Sequence, residues 1–180
     1  MYKKFFLLLL FIQKSFTFFN IPKLNFRNNK ISNFKMLSKF DNFNWNKNWY
    51  PIALEKVTDK TKPFEFTLLG NSLVIWWDNI NNKWCATDNK CSHRYVPLSE
   101  GRISENGHIE CPYHGWCFNK TGNCVKIPQN YNKIINNRFN INSYYIETKQ
   151  DIIWIWPEKY TDNFKPPNSL IPISSPISNG

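Results

Sequence analysis

Two short blocks of cysteine and histidine constrain the fold of this 180-residue chain more than any other feature. The first block, Cys91–Arg94, reads C-S-H-R, and the second, Cys111–Trp116, reads C-P-Y-H-G-W. Each block places one thiol and one imidazole on a segment short enough to form a single loop. Thiolate and imidazole are ligands that bind zinc and iron in proteins. A fold that brings the two loops together would therefore build one metal site from four side chains.

The spacing of these four side chains is typical of an iron–sulfur centre with mixed ligands. The blocks read C-x-H, then 17 intervening residues, then C-x-x-H. In a Rieske [2Fe–2S] centre two cysteines hold one iron and two histidines hold the other. We therefore predict one such cluster in each chain, with cofactor-binding and metal-ligating residues Cys91, His93, Cys111 and His114.

A zinc site with two cysteines and two histidines is the alternative. Paired zinc ligands are usually separated by two or more residues, whereas the first block has the spacing C-x-H. Zinc also gives no reason for the residues that surround His114 in the second block. Analysis of iron and acid-labile sulfide separates the two hypotheses, because a zinc protein is colourless and contains no sulfide.

The residues around the two blocks resemble the Rieske domains of aromatic-ring-type oxygenases. The run C-S-H-R-x-x-P-L-S-x-G-R precedes C-P-Y-H-G-W. Further segments are similar to the plant and algal branch, which comprises pheophorbide a oxygenase, chlorophyllide a oxygenase and the Rieske component of the chloroplast inner-envelope translocon. The resemblance implies a Rieske fold, all-β, with antiparallel sheets and a small cluster-binding subdomain built from two loops. The segments that carry the closer likeness are Asn48–Pro51, Phe66–Gly70, Ile127–Gln129 and Trp154–Pro157.

Short β-like runs, broken by turn residues, also predict an antiparallel β domain. No long window shows the 3.6-residue periodicity of an amphipathic helix. We predict that the domain covers residues 41–160. The runs that predict strands are rich in β-branched and aromatic residues. They are Trp49–Val57, Phe64–Leu69, Ser72–Trp77, Lys83–Thr87, Tyr144–Thr148 and Ile152–Trp156.

Residues 1–40 resemble a targeting leader. They contain eight lysines and arginines and no acidic residue, and the apolar run Phe5–Ile12 follows Lys3 and Lys4. A signal-like core followed by a basic, transit-like segment predicts a plastid (chloroplast) protein that is reached through the secretory pathway. A disordered basic tail is the alternative. The apolar run is too short to cross a bilayer, so we expect no transmembrane span in the mature chain.

The net charge of +10 does not indicate nucleic-acid binding. Outside the leader the chain holds 15 basic and 13 acidic side chains, so the predicted domain is almost neutral. We therefore expect no nucleic-acid partner. Residues 161–180 contain four prolines among serines and asparagines, and this composition predicts a tail or linker.

Three cysteines remain beyond the two ligand candidates, and they show no evident disulfide framework. We expect Cys85 in the core. Cys117 and Cys124 flank a turn, and we expect buried free thiols, with a pair that faces across a hairpin as the alternative. The remaining histidine, His108, is expected to be a surface side chain.

Two differences from the high-potential Rieske proteins of cytochrome bc complexes predict a low reduction potential. Those proteins carry an extra cysteine in each loop, and the matching positions here are Val96 and Tyr113, so that disulfide cannot form. They also place hydroxyl groups near the cluster where this chain has Trp116 and Phe118. Fewer hydrogen-bond donors stabilise the reduced cluster less, which predicts a potential of about −150 to 0 mV.

The histidine count limits the enzymatic role of these residues. The family resemblance implies electron transfer to a mononuclear iron held by two histidines and a carboxylate. The chain has three histidines, and only His108 remains once the cluster is assigned. We therefore predict an electron-transfer protein without catalytic residues of its own, leaving open whether it is an enzyme.

The predicted role is that of the Rieske component of a plastid oxygenase-like oxidoreductase system. Its predicted partners are a ferredoxin-like electron donor and a separate catalytic oxygenase chain. One alternative is the N-terminal part of a truncated or split pigment-type Rieske monooxygenase. Another is a redox accessory of plastid protein import.

Overall fold

The computed structural model describes residues 43–130 and 135–172, and β-strands form most of the regular structure there. The strands are β1 (Tyr50–Leu54), β2 (Phe64–Leu68), β3 (Asn71–Asp78), β4 (Lys83–Asp88), β5 (Arg102–Ile103), β6 (Ile109–Glu110), β7 (Cys117–Phe118), β8 (Cys124–Lys126), β9 (Tyr144–Lys149) and β10 (Ile152–Lys159). Short 3-10 helices occupy Glu55–Val57, Leu98–Glu100, Asn137–Phe139 and Asn168–Leu170.

The strands form three antiparallel sheets. The first sheet has the order β1-β10-β9, the second has the order β2-β3-β4, and the third is a small sheet of β5-β6-β7-β8. The predicted all-β class with antiparallel sheets is therefore confirmed. The described ranges contain no α-helix, and hence no helix long and apolar enough to cross a membrane.

Strand β3 is buried on both faces, which explains its unbroken apolar run. Leu73 and Ile75 pack in a core that is shared with the first sheet. Val74 and Trp76 pack in a second core, which is shared with the third sheet. Because side chains alternate along a strand, a strand covered on both faces needs an apolar residue at nearly every position. The second sheet is thus the layer between the first sheet and the small third sheet.

The described part of the Pro-rich segment packs against the first sheet. Trp154 and Trp156 of β10 form a third apolar cluster together with Trp49 and Ile171. The indole Nε1–H of Trp49 donates a hydrogen bond to the Pro167 carbonyl over 3.0 Å. Residues up to Ile171 therefore belong to the packed structure, whereas the predicted leader and residues 173–180 lie outside the described residues.

A buried hydrogen bond joins β3 to the third sheet. Trp76 Nε1–H donates to the carbonyl of Gly107, in the turn between β5 and β6, over 3.0 Å. Gly107 has a φ of +75°, and a Cβ atom at this position would lie 2.2 Å from Asp78 Oδ1. This hydrogen bond and close approach hold the turn between β5 and β6 against β3.

Candidate metal centre

The first predicted ligand loop is a closed backbone turn. The Cys91 N–H donates to the Val96 carbonyl over 3.0 Å, and the Tyr95 N–H donates to the Cys91 carbonyl over 2.8 Å. Tyr95 has a φ of +60°, a left-handed conformation that closes the turn. The backbone N–H groups of His93 and Arg94 act on the Cys91 sulfur in the direction that lowers the pKa of its thiol. Such donors orient a metal-ligating thiolate and tune the reduction potential of an iron–sulfur site.

The second loop repeats the same backbone pattern. The Cys111 N–H donates to the Trp116 carbonyl over 2.8 Å, and the Gly115 N–H donates to the Cys111 carbonyl over 3.1 Å. Gly115 has a φ of +69° and occupies the position in this loop that Tyr95 occupies in the first. The two blocks therefore fold as equivalent turns, although their histidines differ by one residue in distance from the cysteine.

The two cysteines of these loops meet in the protein interior. Cys91 is 1% exposed and Cys111 is 3% exposed, and the two thiols are close enough to interact electrostatically. Burial raises the pKa of the Cys91 thiol to about 12, and the neighbouring Cys111 adds to the rise. Because a cysteine binds metal as thiolate, cluster assembly must remove these protons.

The two histidines lie side by side, one on each loop. The ring centroids of His93 and His114 are 4.8 Å apart. His114 Nδ1 is buried and has no hydrogen-bond partner among the described residues, which fits a ring nitrogen reserved for a metal. The pKa of His93 is lowered, first by desolvation and then by the nearby His114 and Arg94. A lowered pKa favours the neutral imidazole, which is the form that binds metal.

The donors form two like pairs, one of thiols and one of imidazoles. A Rieske cluster needs one thiolate pair for one iron and one imidazole pair for the other. The pairing of like donors therefore fits the iron–sulfur prediction.

Comparison with known families agrees with this geometry. Residues 48–145, which include both ligand loops, match the family described as Rieske [2Fe-2S] domain. The chain belongs to this family. Its cofactor is accordingly a Rieske-type [2Fe–2S] cluster, as the motif predicted.

Relatives of this Rieske domain include chloroplast proteins. Pheophorbide a oxygenase of Arabidopsis thaliana is 51% identical over 87 residues, which are 48% of this chain and 16% of that protein. Flavonoid 8-hydroxylase 2 of Ocimum basilicum is 37% identical and matches 77% of this chain but 28% of its own length. The predicted likeness to the plastid branch is confirmed, since its other members named above also match.

A solved structure supports the same fold. Dicamba monooxygenase bound to 3,6-dichlorosalicylic acid superposes with a TM-score of 0.62 at 31% identity, covering 72% of this chain and 36% of that one. The match to this chain thus spans well under half of the length of these proteins.

An aromatic stack supports the first histidine of the Rieske domain. Trp116 stacks on His93 with a centroid distance of 4.7 Å and an interplanar angle of 3°. Phe139 packs edge-on against Trp116 at 5.2 Å, and its carbonyl accepts a hydrogen bond from Ser92 Oγ over 2.5 Å. The position of Trp116 beside His114 is a usable signal, whereas nothing in the sequence marks Phe139.

We expect Trp116→Leu to weaken the support of His93. Losing the stacked indole and leaving a partial cavity should reduce the free energy of unfolding by about 2 kcal/mol. A less constrained imidazole should also broaden the EPR signal of the reduced cluster. Trp116→Phe keeps an aromatic face and is the matched control. The role assigned to the stack is wrong if Trp116→Leu leaves the EPR line shape unchanged.

The three remaining cysteines are not candidates for cluster ligands. Within the described residues Cys85, Cys117 and Cys124 are buried free thiols, as expected. Cys124 packs in the same core as Phe118, the residue to which it is paired in register. Cys117 instead lines a polar cavity with His108 on the other side of the third sheet. The two thiols therefore do not form the facing pair that was the alternative.

Proposed function

We propose that this Rieske domain transfers electrons one at a time from a ferredoxin-like donor to a catalytic oxygenase component. In this proposal Cys91 and Cys111 hold one iron, while His93 and His114 hold the other. The meeting of two buried thiols and two adjacent imidazoles on equivalent loops is the observation that carries the proposal. The bound cluster supplies reversible one-electron chemistry.

The four side chains differ in exposure, so the site has a buried side and an exposed side. The thiols are buried, whereas His93 is exposed and His114 is half-buried. The histidine side of the cluster is therefore the side that a redox partner can approach most closely. Imidazoles that hold the second iron would link that iron directly to the protein surface.

The surface at the histidines has the features of a partner interface. His93 and His114 line an open groove of about 570 Å³ whose other walls include Trp116, Ile127 and Phe139. Positive charge lies beside this groove, because Arg94 adjoins His93 and the Arg138 guanidinium lies 4.8 Å from the Phe139 ring centroid. An apolar centre with a basic edge fits an electron donor with acidic groups around its own redox centre.

The histidines of the chain also support a separate catalytic component. An iron bound by two histidines and a carboxylate would need two imidazoles beyond those at the cluster. Of the three histidines in these 180 residues, only His108 is left, and it lines the polar cavity of the third sheet. The catalytic iron would therefore come from another chain, or from a further part of a longer oxygenase.

The lengths of the relatives favour a second candidate function. In this alternative the chain is the Rieske part of a longer pigment-type monooxygenase. The match covers 16% of pheophorbide a oxygenase and 28% of flavonoid 8-hydroxylase 2.

We also propose a plastid location, since these relatives are chloroplast proteins. The leader and its predicted secretory route lie outside the described residues.

The test is a redox titration of the purified protein. We expect a reversible one-electron couple at about −150 to 0 mV, because the loops lack the extra cysteines and hydroxyl groups of high-potential centres. We also expect no oxygen-dependent conversion of chlorophyll-derived pigments by the chain alone. A potential above roughly +150 mV would contradict the low-potential assignment. Hydroxylation of a pigment by the isolated chain would contradict the argument from the histidine count.

A further inference from the structure

The outward face of the third sheet carries a row of four polar side chains across its strands. Arg102 pairs with Glu110, Glu110 pairs with Cys117, and Cys117 pairs with Lys126 in the strand register. Residues directly opposite one another on neighbouring strands project to the same face. All four line a polar cavity of about 700 Å³. Opposite charges therefore alternate along this row, with a thiol between Glu110 and Lys126.

Glu110 is the buried charge of the row. The residue is 6% exposed, and its carboxylate forms an ion pair with Arg102, whose side chain is 72% exposed. The Cys117 thiol lies 3.5 Å from the second carboxylate oxygen and donates a weak hydrogen bond to it. Burial and the charge of Glu110 raise the pKa of Cys117 to about 12, so this thiol keeps the proton that it donates. A buried carboxylate is retained in a protein when it has partners of this kind.

The carboxylate lies against the loop that carries Cys111 and His114. Glu110 directly precedes Cys111, and its Oε1 would be 3.7 Å from a Cβ atom placed on Gly115. The Cys117 sulfur lies 3.5 Å from the Gly115 carbonyl, so the same network contacts the loop backbone. A negative charge with little access to water therefore lies against the loop that carries Cys111 and His114.

We propose that Glu110 and Arg102 set the reduction potential of the cluster as a pair of opposite fixed charges, an inference that rests on the proposed ligand set. Reduction adds negative charge to the cluster, and a nearby carboxylate in a low-dielectric environment opposes that addition. Arg102 offsets this effect, but its exposed guanidinium is screened more strongly by water and salt. The carboxylate dominates, and the pair lowers the potential.

The test compares two single variants and a double variant of the full chain by redox titration. Glu110→Gln removes the buried negative charge with little change in shape, and its midpoint potential should rise. Arg102→Gln leaves the carboxylate without its cation, and its midpoint potential should fall. The double variant should lie between the two single variants. Added salt should shrink the shift of Arg102→Gln more than that of Glu110→Gln.

Two controls separate this electrostatic role from a structural one. Glu105→Gln removes an exposed acid from the same cavity and should leave the potential unchanged. Arg102→Lys keeps the positive charge, so its midpoint potential should stay near that of the natural protein. Unchanged EPR line shapes in Glu110→Gln would show that the cluster geometry is retained. The Arg102 variants test the proposal even if Glu110→Gln does not fold.

Shifts of the same sign in both single variants, or shifts no larger than that of Glu105→Gln, would overturn the proposal. Failure of the ligand set is a different result. It would appear in the natural protein as the absence of iron, sulfide or histidine coordination, whatever the potentials of the variants.

Discussion

Replacing Cys111 with serine should remove the cluster from the protein. The thiol is buried beside Cys91, so no water or other cysteine can take its place without rearrangement of the loop. Serine is a shorter and harder ligand that does not replace thiolate well at an iron–sulfur centre. Iron and acid-labile sulfide should fall from about two of each per chain to background, with loss of visible absorption.

Cys124→Ser is the matched control for this experiment. Cys124 is also buried and packs in the same core, but it is not a ligand candidate. Its sulfur contacts the Lys126 carbonyl at 3.8 Å. The variant should keep its iron and sulfide and lose about 1 kcal/mol of unfolding free energy through the buried hydroxyl group. Retention of a full cluster by Cys111→Ser, or its loss in Cys124→Ser alone, would contradict the ligand assignment.

Gly101→Ala should destabilise the third sheet strongly. A Cβ atom at Gly101 would lie 2.1 Å from the Glu110 carbonyl oxygen and 3.0 Å from the Leu98 carbonyl oxygen. Both neighbours are backbone atoms, so β5 and β6 must separate to admit the methyl group. We expect the free energy of unfolding to fall by about 3 kcal/mol or more, as measured by urea denaturation of the full chain.

Gly70→Ala is the control for the backbone term. Gly70 has a φ of +81°, but a Cβ atom there would meet nothing within 4 Å. Its cost should be about 1 kcal/mol, from the left-handed conformation alone. A larger loss in Gly70→Ala than in Gly101→Ala would show that close packing of β5 on β6 is not what makes the small side chain necessary.

Long and locally patterned elements could be predicted from the sequence. The run Ser72–Trp77 predicted β3, which the structure extends by one residue at each end to Asn71–Asp78. The hairpin of β9 and β10 followed from two adjacent β-branched and aromatic runs. The run Trp49–Val57 was too long as a strand, because β1 ends at Leu54 and a 3-10 turn follows.

The small third sheet could be predicted less well. Strands β5, β6 and β7 have two residues each, which is too short for an alternating pattern to appear. Their pairing depends on packing against β3 and on the turns between them. The ion pair of Arg102 with Glu110 follows from that register, so the sequence alone could not reveal it.

The ligand candidates were the most predictable part of the site, because metal chemistry restricts both residue type and spacing. The support around them was less predictable. Phe139 reaches Trp116 from a segment far along the chain, and the positive φ of Tyr95 has no signature in its residue type. Such contacts depend on the closed tertiary structure rather than on local pattern.

Pulsed EPR on the reduced protein, with its histidines labelled with ¹⁵N, tests the central claim most directly. If His93 and His114 both bind the iron that accepts the electron, the spectrum should show strong hyperfine coupling to two histidine nitrogens, in a signal distinct from that of four-cysteine clusters. His108→Gln should leave both couplings in place. A reduced cluster without two coupled histidine nitrogens, or a purified protein that holds zinc in place of iron and sulfide, would contradict the account.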